Sequence, residues 1–228
     1  MDTKEFFNSI LIEEAEIEKA NHYIETKGLY IHVAIRDMLL SRGIQKPSYK
    51  QIATVYRYDK RIRKILYEHI AYLEEFFRAY ILNQYGNNVK QSFWIKRVNP
   101  NNLKNSLELL KFGELLSQVK KLPNKEKVLI ITSHFTKNIE ALIELRNAVF
   151  HNKFLLVYLG FKKCFIDEEK SGFSFRANLI NLSNFLPQEV KKQFLKEIEN
   201  SQYQKHEKPI NNKTDWKLPS EVVIKLKD

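Results

Sequence analysis

Between Tyr49 and Tyr85 the residues Ile62, Leu66, His69, Leu73, Phe76, Phe77 and Tyr80 recur at spacings of three and four. That period belongs to an α-helix with one buried face, and a stripe this long crosses a whole domain. The remaining elements must pack around it. Six glycines and six prolines in 228 residues are too few for the turns of an all-β fold. The expected class is all-α. The long helix is expected to stop at Gly86-Asn87, a suitable C-terminal cap.

The flanking segments carry weaker patterns. Helical periodicity runs from Glu5 to Thr26 and from Tyr30 to Leu40, with Lys27-Gly28 between them and Gly43 and Pro47 as the following breaks. A short helix is expected over Leu103–Lys120, shaped at Phe112-Gly113, another over Lys125–Phe135, and a longer one over Thr136–Leu159. The run Val128–Thr132 also has strand propensity. Residues 160–178 lose periodicity and read as a loop or hairpin, and a last amphipathic helix begins at Pro187-Gln188-Glu189. From about Ser201 the chain is polar, which predicts a loose tail docked only at its end. The expected organisation is an N-terminal helical extension over 1–48 packed on the core, a helical domain over 49–200 and a polar tail over 201–228.

Composition narrows the partners. With 43% hydrophobic residues the chain buries a sizeable core, and no run approaches the ~18 apolar residues of a membrane span. The acidic start does not read as a signal peptide, and the single Cys164 excludes an internal disulfide framework or a cysteine-built zinc site. These features predict a cytoplasmic protein. A net charge of +11 favours anionic partners, nucleic acid first and a membrane surface second, although lysine richness also serves solubility.

Charge is concentrated at Arg57, Lys60, Arg61, Arg63 and Lys64, a run that reads either as a solvated helix face or as a phosphate-contacting one. Glu74 and Arg78, four apart, form a candidate pair. His22, His32, His69, His134, His151 and His206 lack the short paired spacings of a zinc site, and His69 on its apolar stripe reads as a core histidine. There is no phosphate-binding glycine loop, dinucleotide fingerprint or nucleophile elbow, so no cofactor is expected.

The candidate site lies in Glu144-Leu145-Arg146-Asn147-Ala148-Val149-Phe150-His151-Asn152. On a helix, Ile139, Leu142, Ile143, Val149, Phe150 and Phe154 share one apolar stripe, with Arg146 near its middle and Asn147 stacked one turn before His151. An arginine on an apolar face is costly unless its guanidinium is paired or opens onto a pocket or interface. RNA cleavage suits such a set. The 2'-hydroxyl is an internal nucleophile, so the protein need only move a proton, as a histidine does, and stabilise phosphoryl charge, as an arginine does. Five residues apart, Arg146 and His151 diverge by roughly 140° on one helix, so a cleft shared across a dimer axis serves them better. Spacing alone favours a plainer arrangement, with Arg146 buried against Glu74 and His151 on the surface.

Tyr56-Arg57-Tyr58-Asp59-Lys60-Arg61-Ile62-Arg63, continuing through Ile70, Glu74, Arg78-Ala79 and Tyr85-Gly86, resembles the first signature of the Abi-like family of bacterial abortive-infection proteins. Lys111–Leu116 resembles its Phe-Gly motif, and Leu145-Arg146-Asn147 through His151 its arginine-asparagine-to-histidine motif, shared with the HEPN superfamily. The three occur in the family's order across roughly 49–200. The resemblance implies an all-α HEPN-like bundle with extra N-terminal helices, a homodimer and metal-independent endoribonuclease activity in phage defence, a toxin restrained by a partner such as an RNA. It makes Arg146 and His151 catalytic and Asn147 supporting, with Asn152 and Lys153 as RNA contacts. DNA specificity and membrane association are not expected. The run His151-Asn152-Lys153-Phe154 departs from the family's second basic residue after the histidine. The rival expectation is a non-catalytic RNA-binding or scaffolding protein of the same fold.

Overall fold

The computed structural model describes residues 1–85, 98–121, 134–167, 169–203 and 218–226. Among them are nine α-helices, one two-stranded hairpin and an isolated bridge between Leu11 and Ser48. The expected helix stop at Gly86-Asn87, the Val128–Thr132 run and nearly all of the expected Lys125–Phe135 helix lie outside the described residues. The chain falls into two units: Met1–Lys64 with Phe154–Leu159 and Glu197–Asp228, and Ile65–Lys153 with Gly160–Lys196.

In the first unit, α1 (Thr3–Asn8) is capped reciprocally by the Asp2 carboxylate on the Glu5 N–H and the Glu5 carboxylate on the Asp2 N–H. The single N-terminal helix expected from Glu5 is thereby two, because the chain breaks before α2 (Glu14–Lys27). Gly28, at φ +91, ends α2 and lets α3 (Leu29–Ser41) begin in a new direction. Phe6, Ile35 and Leu39 are buried, as are Ile52, Val55, Tyr58 and Ile62 in the first part of α4 (Tyr49–Tyr85). His32 is buried, stacks parallel to Tyr49 and meets Phe6 edge-on. The C-terminal piece docks here: Val222 is buried, the Ile224 N–H donates to the Tyr58 hydroxyl at 3.1 Å, and Arg42 donates to the Glu221 carbonyl.

In the second unit the remainder of α4 buries Leu66, Ile70, Leu73, Phe77 and Ile81, one face at helical spacing. His69 is also buried, edge-on to Phe194 with ring centroids 5.0 Å apart. The short helices α5 (Leu103–Glu108) and α6 (Phe112–Val119) are separate, and Arg78 explains the turn between them. Its guanidinium pairs with Glu74 at 2.6 Å and donates to the Leu107 and Leu110 carbonyls at 3.1 and 3.3 Å, the first of which also accepts the Leu110 N–H. Glycine is not required in the Phe-Gly motif. A Cβ at Gly113 would lie 3.8 Å from Ile143 Cδ1, an ordinary contact. Gly113→Ala is therefore expected to stabilise the fold by about 0.5 kcal/mol, read as a higher unfolding midpoint.

The rest of this unit is α7 (Phe135–Phe150), the hairpin of β1 (Cys164–Phe165) and β2 (Ser171–Gly172), α8 (Phe175–Phe185) and α9 (Gln188–Asn200), the last of which passes into the first unit after Lys196. Residues 160–178 were expected to be a loop or hairpin, but α8 takes their last four residues and continues to Phe185. Buried amides join it to its neighbours. Asn181 donates to the Asn138 carbonyl, Asn184 to that of Ile166 and Asn178 to that of Lys162. Asn138 in turn pairs with both the N–H and the carbonyl of Phe165. Among the described residues no helix is long and apolar enough to cross a membrane.

Candidate functional site

Helix α7 buries Ile139, Leu142, Leu145, Ala148 and Val149, while Ile143, Arg146, Asn147 and Phe150 are half-buried. Arg146 thus sits on the shoulder of the buried face and not at its centre. Its guanidinium carbon lies 4.2 Å from the centroid of Phe150, one turn later. That ring stacks on Tyr67 of α4, with centroids 4.6 Å apart. Arg146 makes no ion pair among the described residues, and its buried Nε has no hydrogen-bond partner there. The alternative acceptor, Glu74, is taken by Arg78.

The helix was expected to run on to Leu159 with Phe154 on its stripe, but it ends at Phe150 with His151 as C-cap. Asn152 takes φ +54, the left-handed conformation that reverses the chain after a helix. Its N–H donates to the Val149 carbonyl at 3.1 Å, and the Lys153 N–H donates to that of Ala148 at 2.9 Å. These two bonds form a Schellman cap, so Asn152 has a structural role. His151 itself is exposed, as is Lys153, and the His151 N–H donates to the Asn147 carbonyl at 2.9 Å. Asn152→Gly is expected to leave the unfolding midpoint unchanged, whereas Asn152→Val should lower stability by about 1–2 kcal/mol.

The basic run belongs to the first unit and does not present one uniform face. Lys60 and Lys64 are exposed, while Arg57, Arg61 and Arg63 are half-buried and engaged. Arg57 donates to the Thr54 hydroxyl at 3.4 Å, and Arg61 to the Ser201 carbonyl at 2.7 Å. Arg63 pairs at 2.9 Å with Asp59, a fully buried carboxylate. The other oxygen of Asp59 accepts the Leu155 and Leu156 N–H groups, at 2.6 and 3.1 Å, in the 3-10 turn Leu155–Val157. Burial raises Asp59 to a pKa of about 6, against the lowering pull of Arg63 and the two amides.

Sequence reasoning missed three contributors. Phe150 and Asp59 each stand four residues from the arginine they hold, a spacing visible in the chain. Tyr67 carried no such signal. Among the described residues no three His, Cys, Asp or Glu side chains cluster as a metal site requires. Comparison with protein-family models, curated proteins and solved structures finds no match.

Proposed function

We propose that the chain is a metal-independent endoribonuclease of the HEPN kind, within the Abi-like family, acting as a cytoplasmic homodimer in phage defence. The observation that carries this reading is Arg146, a guanidinium held against Phe150 with no carboxylate partner among the described residues, five residues before the exposed His151. A cation held against a ring, with no ion pair among the described residues, suits a phosphoryl group whose negative charge grows during reaction. His151 takes the proton of the RNA 2'-hydroxyl as its oxygen attacks phosphorus, and a proton is returned to the departing 5'-oxygen. The products are a 2',3'-cyclic phosphate and a 5'-hydroxyl. Because Arg146 and His151 diverge around α7, two copies related by a two-fold axis supply the composite cleft, with Asn147 and Lys153 on its rim.

The test is cleavage of single-stranded RNA by purified protein in the presence of chelator, with the product ends identified. Cyclic-phosphate ends, undiminished cleavage in chelator and loss of cleavage in Arg146→Ala and His151→Ala are expected. Mixing the two variants should restore part of the activity if the site is shared between subunits. Retained RNA binding without cleavage by the unmodified chain would establish the non-catalytic binder instead.

A further inference from the structure

The hairpin end of the second unit gathers cations around aromatic rings. Lys137, exposed in the first turn of α7, and Lys163, exposed before β1, place their ammonium groups 5.4 and 5.8 Å from the centroid of Phe165. The ring of His134 lies over Phe165 with centroids 3.4 Å apart and planes 16° apart. Immediately after β2, Phe173 is 63% exposed, and Lys163 is 6.0 Å from its centroid. Neither these two lysines nor the exposed Lys162 makes an ion pair among the described residues. The carboxylate at the hairpin turn, Asp167, is occupied by the N–H groups of Glu169 and Lys170.

We propose that this face binds single-stranded RNA, with Phe173 stacking on a base and Lys137 and Lys163 holding the flanking phosphates. A single strand alternates flat apolar bases with fixed negative charges, and the face sets an exposed ring beside ammonium groups that make no ion pair among the described residues. An acidic peptide would match the lysines and leave Phe173 in water. Contact with the rings also limits the wandering of the lysine side chains, which lowers the ordering cost of binding. The surface is separate from Arg146. Lys137 and Arg146 are nine residues apart on α7, roughly 14 Å along the axis and about 180° around it. Binding here therefore does not depend on the cleavage reading.

The experiment uses the full chain and a short fluorescein-labelled 2'-O-methyl oligouridylate, which cannot undergo 2'-hydroxyl attack, with fluorescence anisotropy followed across a salt series. Phe173→Ala should weaken binding by about 5- to 150-fold, the range of one base–aromatic stack, and Phe173→Tyr should retain it. The double variant Lys137→Glu, Lys163→Glu should reduce the slope of log affinity against log salt by about 1.4, as expected for two phosphate contacts to a single strand. Circular dichroism should be unchanged in each, since the substituted side chains are exposed. Absence of oligonucleotide binding by the parent chain overturns the proposal. So does a Phe173→Ala affinity within about twofold of the parent, because lysine effects alone mean undirected attraction to a polyanion. Binding to phosphatidylserine vesicles in place of the oligonucleotide assigns the face to a membrane surface and also overturns it.

Discussion

Asp59→Ala is expected to lower stability by about 3–5 kcal/mol, read as a large fall in the urea midpoint with little change in slope. The substitution removes the counter-charge of half-buried Arg63 and leaves the Leu155 and Leu156 amides without their acceptor. Asp59→Asn separates these two losses. The amide keeps an oxygen for the backbone and gives up only the charge, so its cost should be far smaller. The pH dependence follows from the same group. Its folded pKa of about 6 stands above the ordinary 3.8, so the native state holds the proton more tightly than the unfolded chain does. The contribution from Asp59 is fully present below the unfolded value and is lost as pH rises through about 6, a span of about 3 kcal/mol. Asp59→Asn should flatten the stability profile between about pH 4 and 6. An unaltered profile would remove Asp59 as its source.

The second large effect concerns rate and not stability. If the proposed chemistry holds, His151→Ala should lower single-turnover RNA cleavage by about 10²–10⁴-fold, the usual contribution of a positioned general acid or base. Its unfolding midpoint should change little, because the side chain is exposed and the cap bonds are made by backbone groups. Arg146→Lys should fail to restore activity, although it keeps the charge. Lysine offers no planar fork for phosphoryl oxygens and loses the flat contact with Phe150. Normal cleavage by either variant would end the assignment of catalysis to this helix.

The all-helical class and the position of α4 were legible because an amphipathic helix writes its period directly into the chain. Helix α8 was not, since its inward face carries buried Asn178, Asn181, Ser183 and Asn184, which resemble a polar loop until their hydrogen-bond partners are known. The end of α7 is hidden in the sequence for a related reason. Phe154, Leu155, Leu156 and Val157 continue the apolar pattern after His151, with no glycine or proline to stop it. The helix stops because Asn152 turns left-handed, and the following amides find an acceptor in Asp59, 96 and 97 residues earlier. A remote acceptor leaves no local mark. In the candidate site the sequence showed that Arg146 needed company, but the company it found was a ring and not Glu74.

The amide of Asn138 has a further consequence for the hairpin. A two-residue strand presents an unpaired edge, and such edges recruit strands from other molecules. By pairing with both the N–H and the carbonyl of Phe165, the Asn138 side chain stands where a third strand would lie. A single side chain from α7 thus blocks the β1 edge of the hairpin to a further strand.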